Sequence, residues 1–226
     1  MKEKTKTMLG CLAVLAIGLI EFISVVWVYR SVQSGSAISV RLASGQPIAF
    51  LCQCLFGFLI PAALLILFAL ALKKEFASVL YFRLQGKWQR ICAAVLIAAI
   101  LGLTVYGLIV KPDKASILLS LFYYLVFIGF GEEFVIRDAC TWFLRHASWP
   151  LRYLLPNILF GALHLFADAG WGEISAKVLL RFLFTGTFLG YVFGGCLFQL
   201  FKERSGTIWL PVLLHGLMDY TVMLTY

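Results

Sequence analysis

LFYYLVFIGFGEEFVIR, residues 121–137, sets two adjacent carboxylates, Glu132 and Glu133, and a guanidinium, Arg137, into an otherwise apolar run. An unpaired carboxylate moved into hydrocarbon costs on the order of several kcal/mol, so intramembrane acids mark functional sites more often than packing sites. Two of the chain's three histidines share this setting: His164 in FGALH, and His215 in LPVLLHGLMDY, which also carries Asp219. An acid pair, two histidines and an aspartate, all in apolar segments, have the make-up of a catalytic centre. The rest of the chain reads as its scaffold.

Composition says what kind of scaffold. Of 226 residues, 62% are hydrophobic and 13% charged, and the mean hydropathy is +0.95. Soluble domains carry roughly 25% charge and about 45–50% apolar residues, so this is a polytopic membrane protein, an all-α helix bundle. No stretch is polar enough and long enough for a separate soluble domain. The net charge of +8 comes from 19 basic and 11 acidic residues, but the basic ones collect between hydrophobic spans. No cluster of Lys and Arg beside aromatics offers a nucleic-acid face, so nucleic acid is excluded as a partner.

A membrane-crossing helix needs about 20 apolar residues, and seven candidates follow. They are Met8–Tyr29, Ile48–Leu72 with a kink expected at Pro61, Ile91–Val110, Ile117–Arg145, Leu151–Phe166, Lys177–Leu200 and Ile208–Tyr226. The first carries Glu21, ends at Arg30 and lacks a small-x-small cleavage site, so it reads as an uncleaved anchor rather than a signal peptide. Residues 30–47 form a polar loop with a short amphipathic piece, SAISVRLA; KPDK at 111–114 breaks the third span from the fourth; DAGWGE at 168–173 is a loop with an interfacial tryptophan. Residues 1–115 hold the first three spans and 116–226 a catalytic four-helix core. GTFLGYVFGG in the sixth span suits close helix packing.

Counting Lys and Arg on alternate sides puts twelve (Lys2, Lys4, Lys6, Lys73, Lys74, Arg83, Lys87, Arg90, Arg145, Arg152, Lys202, Arg204) against five (Arg30, Arg41, Lys111, Lys114, Lys177). The positive-inside rule then places the N-terminus in the cytoplasm of a multi-pass cell-membrane protein. The six cysteines, Cys11, Cys52, Cys54, Cys92, Cys140 and Cys196, lie in or beside apolar segments without metal-site spacing and read as small packing residues. Cys140, near the acid pair, is the one alternative nucleophile.

On an α-helix Glu133 and Arg137 are about 40° apart and roughly 6 Å along the axis, so they can pair, whereas Glu132 is turned about 100° away. The division this suggests is Glu133 clamped by Arg137 and Glu132 free to act as general base. Phe160 and His164 share a face, as do His215 and Asp219; the Asp219 carboxylate either holds the ring in one tautomer or, if protonated, donates with it to a developing oxyanion. At 1.5 Å per residue Glu132, His164 and His215 lie roughly 10–20 Å from the cytoplasmic ends of their spans and can converge at one level.

EExxxR (Glu132, Glu133, Arg137), FxxxH (Phe160, His164) and HxxxD (His215, Asp219) resemble, in order, the three motifs of the CAAX-protease and bacteriocin-processing family. That family, also called CPBP or Abi, includes the type II CAAX prenyl endopeptidases; the resemblance covers about residues 117–226. It implies an intramembrane endopeptidase in which Glu132 activates water and His164 assists that water or the scissile carbonyl. His215 with Asp219 would form the oxyanion site, and Glu133, Arg137 and Phe160 would support these groups. The family's third motif takes asparagine or aspartate, and Asp219 donates a hydrogen bond only when protonated. Family members include CAAX processors, bacteriocin-maturation or self-immunity proteins, and scaffolds without known cleavage.

A zinc set of Glu132, His164 and His215 competes with the metal-free reading, but no HExxH is present, and glutamate-activated water explains the same residues without a cofactor. The implied partners are a peptide or protein substrate in the membrane and the lipid bilayer. Two other classes compete with a protease: a non-catalytic scaffold, immunity or regulatory partner, and a small transporter, to which Glu21 and Arg181 would suit but the motif order would not.

Overall fold

The computed structural model describes residues 3–31, 59–73, 80–169, 175–184 and 186–225, and its regular elements are helices throughout. We label them α1 (Glu3–Ser31), α2 (Leu59–Leu72), α3 (Lys87–Val110), α4 (Lys114–Phe143), α5 (Trp149–Ala169), α6 (Ala176–Phe184), α7 (Thr187–Ser205) and α8 (Trp209–Thr225). The expected loop at 30–47 begins two residues late, Arg30 and Ser31 belonging to α1, and its remainder, Cys52, Cys54 and the tryptophan at 171 lie outside the described residues. Pro61 is the third described residue of α2, and the residues before Leu59, on which the expected kink depends, lie outside the described residues.

Each of the seven expected spans contains described helix, although residues 48–58 of the second lie outside the described residues, and the lengths and polarity of the helices differ. Glu3–Ile23, Lys87–Val110 and Lys114–Phe143 are long and apolar enough to cross a membrane, and α6 with α7 makes a fourth if the bent pair is one span. The others are shorter or more polar: α2 has 14 residues, α8 has 17 and carries His215 and Asp219, and α5 carries Arg152, Asn157 and His164. The sixth span, expected to be continuous, is instead broken. Gly186 adopts φ +86°, a left-handed conformation that ends a right-handed helix, and the two pieces meet at 46°.

The fourth span begins where Asp113 accepts a hydrogen bond from the Ser116 amide at 3.1 Å, the usual role of an N-capping aspartate. Farther along, α4 widens into π-helix at Tyr123–Phe130 and again at Glu133–Cys140. Glu132 lies between them. Such i→i+5 segments are rare and tend to occur at functional sites.

The chain divides into two compact units: Met1–Ser34 with Val135–Leu200, and Gly35–Phe134 with Phe201–Tyr226. In the second, α8 packs against the first π-helical segment and against α3. Their closeness rests on two glycines. A Cβ at Gly129 would lie 2.8 Å from the Val212 carbonyl oxygen, and one at Gly216 would lie 2.8 Å from Leu125 Cδ2 and 3.0 Å from the Tyr124 carbonyl oxygen. Small residues at such crossings let two backbones approach. Beside them Ile117, Tyr220 and Leu224 form a buried cluster. At the start of α8, Trp209 Nε1 donates to the Phe82 carbonyl at 2.9 Å, and the Ile208 amide donates to the Tyr81 carbonyl at 3.0 Å.

In the first unit α1 packs on α5 and on residues 141–143. Gly10 lies against the Phe143 backbone and Gly18 against Leu159, where a Cβ would sit 3.0 Å from the side chain. Close packing of α5 with α7 uses Gly161, whose Cβ would meet Phe188 and Val192 at 3.1 Å, and Gly195, which abuts Asn157 and Arg137. The glycine-rich run expected to pack tightly is therefore tight at one position. At Gly190 and Gly194 a Cβ would meet nothing within 4 Å among the described residues.

Candidate active site

The aromatic residues that bracket the acid pair orient it. Phe130 and Phe134 lie parallel at 5.7 Å and 3°. Phe130 stacks on Trp209 at 5.8 Å, and Phe134 packs on Phe82 at 5.9 Å and Phe68 at 6.3 Å. Aromatic pairs at these separations add about 0.5–1.5 kcal/mol to their burial. With that face of the helix committed to the aromatic cluster, Glu132 and Glu133 are presented to α8.

There they meet one histidine. Glu133 Oε1 lies 2.9 Å from His215 Nδ1, Glu132 Oε2 lies 3.7 Å from Nε2, and Asp219 Oδ2 lies 3.6 Å from Nε2. Glu133 is fully buried and His215 nearly so. A carboxylate only accepts, so Nδ1 carries the hydrogen of the Glu133 bond. Glu132 Oε2 is buried yet makes no hydrogen bond among the described residues, and 3.7 Å is too long for one.

This corrects two expectations. Glu132 and Glu133 do not sit on separate faces, because both reach the same imidazole. The π-helical turns on either side hold more residues than an α-turn, so each residue advances by less than the 100° of an α-helix. The second correction concerns the tautomer of His215. It is held by Glu133, with Asp219 facing the other nitrogen and its side chain 39% exposed.

The remaining motif residues gather in the first unit. Arg137, 1% exposed, holds its guanidinium over the Phe160 ring at 4.1 Å, a cation–π contact. Phe160 thus joins two motifs. Its carbonyl oxygen is 2.9 Å from His164 Nδ1 and its ring lies 4.4 Å from the His164 ring, edge-on at 62°. A carbonyl also only accepts, so Nδ1 of His164 carries the hydrogen and Nε2 of the neutral ring is an acceptor.

Sequence reasoning missed three residues of this unit. Tyr191 lies against the His164 ring at 3.9 Å and 31°. Asn157 and Gln199, both fully buried, bond to each other at 3.2 Å, and Asn157 Nδ2 also donates to the Tyr153 carbonyl at 2.8 Å. An amide seven residues before His164 in an apolar run was a visible signal; nothing in the sequence distinguishes Tyr191 from other interfacial aromatics. Cys140 is buried, which argues against the nucleophile role. Among the described residues no group of three or more His, Cys, Asp and Glu is arranged to hold a metal ion.

Residues 114–221 match the family model described as type II CAAX prenyl endopeptidase Rce1-like. The match begins at the start of α4, ends two residues after Asp219, and contains all three motifs. No curated protein and no solved structure matches the chain.

Proposed function

We propose that this chain, whose residues 114–221 belong to the Rce1-like family of type II CAAX prenyl endopeptidases, is an intramembrane endopeptidase acting on a peptide or protein by glutamate-activated water. The observation that carries the reading is Glu132 Oε2, a buried carboxylate oxygen with no hydrogen-bond partner among the described residues, beside a histidine whose other nitrogen is already engaged. A general base needs a lone pair that no hydrogen bond already occupies, and among the described residues Glu132 Oε2 has one.

In this mechanism Glu132 takes a proton from water and the hydroxide adds to the scissile carbonyl carbon. His164, with its hydrogen committed to the Phe160 carbonyl, offers Nε2 as a second acceptor for the attacking water. The oxyanion of the tetrahedral intermediate is met by His215 Nε2, which donates only when the ring carries both hydrogens, and by Asp219 when protonated. Collapse breaks the C–N bond, and the proton held by Glu132 passes to the departing amine. Glu133 fixes the His215 ring, while Arg137 and Phe160 support His164. The lysine and arginine bias favours a cytoplasmic N-terminus, and peptide or bacteriocin processing or self-immunity are the roles that suit such an enzyme.

The test uses purified protein in bilayers with internally quenched peptides, one ending in a prenylated CAAX sequence and one unprenylated. Glu132→Ala and His164→Ala should each abolish cleavage while accumulating in the membrane like the parent. A phenotype complemented by both variants would favour the non-catalytic partner instead.

A further inference from the structure

His164 is held by more than its motif. Its Nδ1 hydrogen bond to the Phe160 carbonyl fixes one edge of the ring, and the Phe160 ring covers one side. Tyr191 of α7 supplies a further wall, its ring 3.9 Å from the His164 ring and inclined by 31°. Tyr191 is itself fixed: it meets Phe160 edge-on at 6.3 Å and 83°, and Phe182 of α6 at 6.4 Å. Phe182 is buried and also packs on Phe188 at 5.8 Å. Gly161, one turn before His164, is the point where α5 and α7 come close enough for this stack, with its Cβ position 3.1 Å from Val192.

We propose that Tyr191 is a positioning residue that clamps the His164 imidazole in its working orientation and stabilises with its π face the partial positive charge that builds on the ring as Nε2 accepts the hydrogen bond of the attacking water. The second half of the role rests on the proteolytic reading; the clamp does not. Two physical effects combine. Rotation about χ2 would carry Nε2 away from its target, and misplacement of a catalytic group by about 1 Å can cost roughly 100-fold in rate. An aromatic face also stabilises a cation within about 6 Å of its centroid, and the tyrosine ring lies inside that range. Both effects come from the ring rather than the hydroxyl, which distinguishes the proposal from a role in proton transfer.

The experiment compares Tyr191→Phe with Tyr191→Leu in full-length protein labelled with isotopic histidine, the His164 signal being identified by its loss in His164→Ala. A ring stacked over an aromatic face shows upfield-shifted ring protons. Tyr191→Phe should keep that shift and keep cleavage of the quenched peptide near the parent rate. Tyr191→Leu should lose the shift and lower kcat by about 10- to 100-fold with little change in KM, while the His215 signal stays in place as the check on folding. If Tyr191→Leu fails to accumulate, Tyr191→Met is read the same way. An unchanged His164 shift and kcat in the aliphatic variant would overturn the proposal, as would a Phe variant as impaired as the Leu one. If the parent cleaves no peptide, the proteolytic reading fails, and the His164 shift still decides whether Tyr191 clamps the ring.

Discussion

The two motif histidines are held by opposite means. His215 sits among carboxylates, with Glu133 at 2.9 Å and Asp219 and Glu132 at 3.6 and 3.7 Å. His164 sits among rings and a backbone carbonyl: Phe160, Tyr191 and the Phe160 oxygen. Carboxylates face both ring nitrogens of His215. The aromatic setting of His164 leaves Nε2 as an acceptor. One residue type is thus set to different tasks by its neighbours, and each prediction below tests one side of that contrast.

The largest effect should come from Glu132, the group proposed as general base. Glu132→Gln keeps shape but cannot take a proton, and general-base removal costs typically 10²–10⁴-fold. Cleavage by Glu132→Gln should fall by about that factor, and Glu132→Ala combined with His164→Ala should be no slower than either alone, because residues acting in one step are non-additive. Multiplied losses in the double variant would mean that the two act in separate steps.

Next comes the contrast within the His215 cluster. Glu133→Gln removes the charge from a buried hydrogen bond to His215, and such charged bonds contribute about 1.5–3 kcal/mol. We expect a lower thermal unfolding temperature together with lost cleavage. Asp219→Asn should keep most activity and stability: the side chain is partly exposed, 3.6 Å from the ring, and asparagine serves the same motif position in the family. Equal damage from both substitutions would erase the distinction between a fixing and a facing carboxylate.

A smaller effect separates the glycines of the two units. Gly129→Ala places a methyl against the Val212 carbonyl and Gly216→Ala places one against Leu125; overpacking of this kind costs about 1–3 kcal/mol. Gly194→Ala meets nothing near it and, in a helix, should be neutral or stabilising by up to about 1 kcal/mol. Detergent-solubilised thermal unfolding orders the three. A Gly194→Ala protein less stable than Gly129→Ala would reverse the assignment.

These cases mark how far the sequence could be read. Apolar length and charge spacing anticipated the described helices apart from the break between α6 and α7, and acids in apolar runs singled out Glu132, Glu133, His164, His215 and Asp219 as candidates, because both signals are local. The pairing of Glu133 with His215 was hidden because it depends on helix pitch, and π-helical turns have no reliable signature in sequence. Gly129 and Gly216 were passed over in favour of the denser GTFLGYVFGG for a similar reason. Composition shows where backbones have room to approach, but the partner helix decides where they do. Tyr191 carries its meaning only through α5.

The smallest expected effect is none, and it bears hardest on the comparison. A metal ion would make the His215 cluster a ligand set rather than a charged hydrogen-bond site. The Glu133–His215 contact does not decide the matter, since a carboxylate on the far nitrogen also supports metal-bound histidines. Substituting Glu132 does not decide it either, because glutamine would weaken a ligand as well as a base. Metal content does. Two ligands that each lie about 2.0–2.2 Å from one tetrahedral zinc stand roughly 3.4 Å from each other, so Glu132 and His215 Nε2, 3.7 Å apart, would need to close by only a few tenths of an ångström. We expect active, detergent-purified protein to carry far less than one zinc per chain and to keep its cleavage rate after dialysis against a chelator. Stoichiometric zinc, with activity lost on its removal and restored on its return, would replace glutamate-activated water with metal-activated water. Glu132 would then become a ligand, and the contrast between the two histidines would become one between first and second neighbours of a metal.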